Sequence, residues 1–90
     1  MSVDVEIDAP TIVLKALAEP RRWRIVELLA GEELCVCHIA EDVGIAQPLV
    51  SHHLKVLVEA GLVTRDKRGV WAYYALVPGA LDALAGILAS

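Results

Sequence analysis

A connection of three residues between two predicted helices restricts the possible folds of this chain more than any other feature of its sequence. The first segment covers about residues 35–43, and the second runs from about Gln47 to Gly61. Both have apolar side chains at the spacing of an amphipathic helix. The connection, residues 44–46, has the length of the turn in a helix-turn-helix motif. We therefore predict a helix-turn-helix over residues 35–60.

After this motif the pattern changes from a helical period to β-structure. Residues 63–66 and 70–76 are rich in β-branched and aromatic side chains, and Lys67, Arg68 and Gly69 lie between them. Two such runs with a short polar connection predict a β-hairpin. A hairpin directly after a helix-turn-helix forms a wing, which we place at residues 62–76.

Two more helices are predicted before the motif. Pro10 and Pro20 open them, because proline fits the first turn of a helix. They end near Ala18 and Gly31, and glycine commonly follows the last turn of a helix. The predicted fold class is thus mainly α with a small β-hairpin. A length of 90 residues supports one domain over residues 1–90.

A last helix, residues 80–89, is apolar on nearly every side except at Asp82. A helix of this kind has to be buried. A chain of 90 residues, 57% of them hydrophobic, has no second domain to cover it. We therefore expect a homodimer that forms through residues 9–18 and 79–90.

Several classes of protein are disfavoured by the sequence. No uninterrupted apolar run approaches the roughly 20 residues of a membrane span. The N-terminus, residues 1–6, has neither the basic flank nor the apolar core of a signal peptide, so a cytoplasmic location is expected. No paired acid and base, nucleophile elbow or phosphate loop is visible, which argues against an enzyme. No organic cofactor is expected.

The charge distribution favours nucleic acid as the partner, although the net charge is −4. Residues 1–46 carry 4 basic and 9 acidic groups, whereas residues 47–76 carry 4 basic and 2 acidic groups. The positive charge is therefore concentrated in the second helix of the motif and in the wing. A local basic face matters more for nucleic-acid binding than the charge of the whole chain.

A helical wheel separates the second helix of the motif into two faces. Its apolar side predicts packing against the core, and His53 falls near that edge, so we interpret it as a packed, hydrogen-bonded histidine. The opposite side and the hairpin carry the candidate DNA-binding residues Gln47, Pro48, Ser51, His52, Lys55, Arg65, Lys67 and Arg68. Such side chains read base edges or hold phosphates. The alternatives are a solvated helix face with a charged, solubilising turn, or a basic face that binds an acidic protein.

Cys35 and Cys37 are the chain's two cysteines. A disulfide between residues i and i+2 would be strained, so reduced thiols are expected. On a helical wheel they flank the apolar stripe about 160° apart, which argues against simple core packing. Thiolates select soft ions such as arsenite, antimonite, cadmium and lead. In a regular helix the two sulfurs point apart, so we expect one ion to bridge them only if the first turn deforms. The alternative is a pair of inert cysteines.

Five segments together resemble the ArsR/SmtB family of bacterial winged-helix repressors. They are residues 17–22, 33–37, 47–57, 59–63 and 71–74. The resemblance extends over about residues 11 to 80. It implies a homodimer built on the first and last helices, binding to double-stranded operator DNA with an inverted repeat, and release when an inducer binds.

The same resemblance assigns Cys35 and Cys37 to an arsenic-type site at the start of the third helix. It implies As(III) or Sb(III) as the inducer, with Cd(II) or Pb(II) in other members. Some relatives have a third cysteine where this chain has Ala40, and the zinc site of others is reduced to Asp82. The third ligand, the identity of the ion and a repressor without metal sensing therefore stay open.

Overall fold

A computed structural model describes residues 9–89, and the expectation for residues 1–6 lies outside this range. The described residues form five helices around a small sheet, which confirms the predicted fold class of a winged helix-turn-helix. The elements are α1 (Ala9–Leu17), α2 (Pro20–Leu29), β1 (Leu34–Cys35), α3 (Val36–Val43), α4 (Gln47–Glu59), β2 (Val63–Arg68), β3 (Trp71–Leu76) and α5 (Ala80–Ala89).

The helix-turn-helix consists of α3 and α4. Gly44, with φ 79°, adopts the left-handed conformation that ends α3. Ala46 precedes α4 in an extended conformation and supplies no side-chain hydrogen bond to its first turn, as expected for a residue without a hydroxyl group. Pro48 lies in the first turn of α4, where its missing N–H leaves no helical hydrogen bond unmade.

The predicted start of α3 was wrong by one residue. Cys35 has extended backbone angles, φ −82° and ψ 158°, and caps the helix instead of belonging to it. It belongs to β1, a strand of two residues that pairs with β3. A strand of two residues is too short to show the alternation of apolar and polar side chains by which strands are predicted from sequence. Because Cys35 is not part of the helix, its side chain does not have the direction that the helical wheel predicts.

The core lies between the helices and the inner side of the sheet. Its largest fully buried side chains are Ile25, Ile39, Val50, Leu54, Leu57 and Leu62. Three of them, at positions 50, 54 and 57, form the apolar side of α4, as the helical wheel predicts. Burying one such side chain stabilises the fold by about 1.5–3 kcal/mol. The opposite side of α4 is therefore fixed outward, towards solvent.

The sheet is antiparallel, with strand order β1-β3-β2. The strands of the hairpin are longer than predicted: β2 includes Lys67 and Arg68, and the turn is at Gly69 and Val70. Gly69 has φ 66°, a conformation that glycine adopts without strain. The two basic residues therefore stand on a strand, where neighbouring side chains point to opposite faces of the sheet.

α5 buries none of its residues within the single chain. Leu88 is 65% exposed, and Trp23 of α2 is 48% exposed. These helices, with the end of α1, border an apolar groove with a volume of about 530 Å³. Its lining residues are Leu14, Leu17, Ala18, Trp23, Leu81, Leu84, Ala85 and Leu88. None of the helices in residues 9–89 is long and apolar enough to cross a membrane.

Candidate nucleic-acid interface and thiol pair

The polar face of α4 consists of the predicted contact residues of that helix. Gln47, Pro48, Ser51, His52 and Lys55 are all exposed. They occupy the first nine positions of the helix, and their outward direction follows from the buried residues on the other side. The N-terminal part of such a helix is the part that meets base edges in helix-turn-helix proteins. We call these five residues the reading face.

His53 lies beside this face but belongs to the interior, as predicted. It is 8% exposed, and its Nδ1 accepts a hydrogen bond of 3.2 Å from Nη1 of Arg22. Arg22 also donates from Nε to the carbonyl oxygen of Ala16, at 2.6 Å. Burial lowers the pKa of His53. The arginine therefore ties the end of α1 to α4 and requires a neutral imidazole.

The wing presents two basic side chains on one face of β2. Lys67 is exposed, and Arg65 donates from Nε to the hydroxyl group of Tyr74 at 3.2 Å. Val63, on the same side of the strand, is buried. This face of β2 is therefore buried at Val63, where the strand begins, and exposed to solvent at Lys67.

Arg68 is on the other face of β2 and is held by neighbouring groups. It makes two hydrogen bonds to the carboxylate of Glu33, Nη1 to Oε1 at 2.9 Å and Nη2 to Oε2 at 2.7 Å. Nε donates to Oδ2 of Asp66 at 2.9 Å, and the guanidinium lies 4.7 Å from the ring centre of Tyr73. Glu33 could not be identified from local sequence patterns, because 35 positions separate it from Arg68.

The two sulfurs converge instead of pointing apart, so the predicted geometry of the thiol pair was wrong. Sγ of Cys35 and Sγ of Cys37 are 2.6 Å apart, and both cysteines are free thiols. The cause is the extended backbone of Cys35, which turns its side chain over the first turn of α3. The amide of His38 donates to Sγ of Cys35 at 3.4 Å. A soft ion therefore meets both sulfurs before any change in the first turn of α3.

The two thiols differ in acidity. The hydrogen bond from Cys37, followed by that from the amide of His38, lowers the pKa of Cys35. The same contact raises the pKa of Cys37. Cys35 is therefore the more acidic thiol of the pair. The thiolate is the form of cysteine that binds metals.

The pair supplies two ligands to an ion. Among residues 9–89, no group of three or more His, Cys, Asp or Glu side chains is arranged to hold a metal ion. Two sulfurs bound at about 2.3 Å to one ion lie roughly 3.3–3.8 Å apart, for bond angles from 90° to the tetrahedral value. The pair fits such an ion after a small separation of its sulfurs, with further ligands from outside this cluster.

The structure also joins the thiol pair to the wing. Cys35 and Asp66 both pair with Tyr73, on opposite sides of β3. Side chains of directly paired residues lie on the same face of a sheet. One face of the sheet therefore carries the side chains of Cys35, Tyr73 and Asp66. Sequence reasoning missed this arrangement because β1 was not predicted.

Comparison with known proteins places the chain in a family. The model of the bacterial regulatory protein arsR family matches residues 19–65. Over 74 residues the chain is 45% identical to the arsenic resistance transcriptional regulator ArsR1 of Pseudomonas putida, covering 81% of this chain and 58% of that protein. It is 41% identical over 63 residues to the arsenical resistance operon repressor of Bacillus subtilis, covering 69% and 60%. The chain thus spans about three fifths of these relatives.

Solved structures agree with the sequence relatives. A homodimeric winged helix-turn-helix DNA-binding domain from Mycobacterium bovis, determined by NMR in solution, matches with a TM-score of 0.80 and 33% identity, covering 99% of this chain and 87% of that one. A crystal structure described as a possible transcriptional regulator for arsenical resistance matches with a TM-score of 0.77 and 41% identity, covering 83% and 78%. The chain belongs to the arsR family of bacterial regulatory proteins.

Proposed function

We propose that the protein is a dimeric transcriptional repressor that leaves its operator when a thiophilic ion binds Cys35 and Cys37. The observation that carries this proposal is the position of the thiol pair. It lies at the first turn of α3, and α3 packs against α4, which bears the reading face. The names of the relatives, which are regulators of arsenic resistance, support the same assignment.

For DNA, the reading face enters the major groove and the wing follows the backbone. Gln47, Ser51 and His52 contact base edges, Pro48 sets the first turn, and Lys55 holds a phosphate. Arg65 and Lys67 of the wing hold further phosphates or enter the minor groove. Arg68 stays with its acidic partners.

The dimer forms through the apolar groove between α1, α2 and α5. Exposed aliphatic residues of α5 and the exposed ring of Trp23 form a continuous apolar surface there. The occupant is the same surface of a second copy, since a two-fold symmetric dimer uses one patch twice. The homodimeric domain from Mycobacterium bovis supports formation of a dimer. Two copies place two reading faces on an inverted repeat with half-sites about 34–36 Å apart.

The inducer is a soft ion, with As(III) or Sb(III) favoured over Cd(II) and Pb(II). Cys35 and Cys37 hold it as thiolates, and a small exogenous thiol or a hydroxide completes the shell. Thiolate ligands select such ions over harder ones. The two sulfurs are already convergent and the pKa of Cys35 is lowered, so the pair loses its thiol protons readily when both sulfurs bind the ion as thiolates.

Coordination alters the residue that caps α3. In the free protein Sγ of Cys35 accepts a hydrogen bond from the amide of His38. Separation of the sulfurs rotates Cys35 away from this contact and loosens the first turn. Ile39, fully buried one turn later, carries the change to the packing between α3 and α4. Allosteric coupling of this kind commonly amounts to about 1–3 kcal/mol, a 5- to 150-fold change in DNA affinity.

A competition experiment tests the proposal. The protein is bound to a labelled duplex from its own upstream DNA, and arsenite, antimonite, Cd(II), Pb(II) and Zn(II) are added separately. We expect arsenite and antimonite to release the protein at the lowest concentrations, and a scrambled duplex to bind more weakly from the start. Binding that resists every thiophilic ion would leave a repressor without metal sensing. No preference for the upstream duplex would contradict DNA recognition itself.

A further inference from the structure

We propose that Arg68 and Glu33 are positioning residues: their ion pair holds the wing in its DNA-binding orientation and transmits ion binding at the thiol pair to the wing. This inference rests on the proposed function and adds a second route from the thiols to DNA. The first route runs through α3 to α4. The second runs through the sheet.

The contact between Arg68 and Glu33 has the geometry of a rigid link. Two parallel hydrogen bonds of 2.9 and 2.7 Å join the guanidinium to the carboxylate. Such forked pairs fix orientation as well as distance. Asp66 and the ring of Tyr73 hold the same guanidinium, so all three of its nitrogens are engaged. A side chain held this way has little freedom to follow a DNA phosphate.

The link crosses the whole sheet. Arg68 is the last residue of β2, Tyr73 belongs to β3, and Glu33 directly precedes β1. Because β3 lies between the other two strands, the arginine reaches over it from one edge of the sheet to the opposite edge. The end of the wing is therefore fastened to the segment that carries the thiols.

Glu33 stands two residues before Cys35 and directly precedes β1, a strand with few pairing contacts. β1 contains only Leu34 and Cys35, and it is paired to β3 at two positions. Any rotation of Cys35 as its sulfur binds an ion shifts this short strand and the carboxylate attached to it. A bidentate contact tolerates little displacement, so the wing loses its anchor when the thiols are occupied.

Two variants and a matched control separate this role from a direct DNA contact. Glu33→Gln removes the carboxylate that holds the guanidinium, and Arg68→Lys keeps the charge but loses the fork. Glu32→Gln removes the same charge one position away and is the control. Each protein is titrated onto the upstream duplex with and without antimonite. The affinity for antimonite is measured separately by thiolate–metal absorbance, and hydrogen exchange is measured over residues 63–76.

The expected result is that Glu33→Gln weakens DNA binding of the ion-free protein, although the variant is less negative. If Arg68 were a phosphate contact, freeing it would strengthen binding instead. We also expect both variants to reduce the antimonite-induced loss of DNA affinity by roughly 2- to 30-fold, the range for residues that carry coupling. Antimonite affinity of both variants should equal or exceed that of the wild type, because ion binding no longer has to break the pair. Glu32→Gln should behave as wild type.

Hydrogen exchange supplies the readout that does not depend on DNA. Antimonite should speed exchange in residues 63–76 of the wild type, and the Glu33→Gln wing should exchange fast already without the ion. Unchanged coupling in both variants, or stronger DNA binding by Glu33→Gln, overturns the inference and leaves the proposed function standing. A wild-type protein that binds DNA but does not respond to antimonite overturns both.

Discussion

Replacing Lys67 by glutamine should flatten the salt dependence of DNA binding by a predictable amount. Lys67 is an exposed residue of the wing. In the proposed complex Lys55, Arg65 and Lys67 neutralise phosphates, while Arg68 is retained by Glu33 and Asp66. Three contacts per subunit make six per dimer, and each contributes a slope of about −0.9 to log K against log salt concentration. The wild-type slope is therefore expected near −5.4.

The variant loses two contacts per dimer, so its slope should be about −3.6. Between 50 and 200 mM salt, wild-type affinity would fall by roughly 2,000-fold and that of the variant by about 150-fold. The assay is fluorescence anisotropy with a labelled upstream duplex at five or more salt concentrations. Lys15→Gln is the matched control, because Lys15 is an exposed charge of α1 that belongs to neither the reading face nor the wing and does not line the apolar groove.

Three results would contradict this assignment of the phosphate contacts. A Lys67→Gln slope equal to that of the wild type would remove the wing from the phosphate contacts. A wild-type slope near −7.2 would mean that eight phosphates are neutralised and that Arg68 leaves its acidic partners on DNA. An equal effect of Lys15→Gln would show that the slope reports overall charge and not a defined face.

Three further predictions follow from the contacts of single residues. Cys37→Ala should raise the pKa of Cys35, because the hydrogen bond from Cys37 is the largest cause of its lowering; alkylation rate against pH measures the shift. The pKa of His53 is lowered from its ordinary value of 6.5, so as pH falls the unfolded chain binds a proton at this position before the folded protein does. The free energy of unfolding should therefore decrease below about pH 6.5 in the wild type, and should decrease less in His53→Gln. Urea titration at a series of pH values measures both. Leu88→Glu should give monomers by sedimentation velocity, whereas Val70→Glu, a charge on the exposed wing tip, should leave the dimer intact.

The helices and the reading face were predictable from the sequence because each depends on local pattern. Apolar spacing and the proline and glycine signals defined α4 and its outward side, and the buried position of His53 followed from the same wheel. These are short-range effects, and the tertiary structure reinforces them. The wing was predicted for the same reason, except that its strands extend through Arg68.

The thiol geometry and the Arg68 anchor were not predictable, because both depend on a strand of two residues. β1 exists only because β3 is beside it, and β3 follows it by more than thirty positions. The pairing pulls Cys35 out of the helix, and this brings its sulfur to that of Cys37. The helical wheel assumes that both cysteines belong to one helix, so it predicts side chains that point apart. Long-range strand pairing overrode the local helical pattern.

In the proposed mechanism, the sulfurs of Cys35 and Cys37 control the affinity of the protein for DNA. The most direct measurement is the affinity for the upstream duplex, with and without saturating antimonite, of the wild type and of the Cys35→Ser, Cys37→Ser double variant. In this mechanism the wild type loses affinity by about 5- to 150-fold, and the double variant, which should still bind DNA, loses none. Release of the double variant by antimonite to the same extent as the wild type would contradict it.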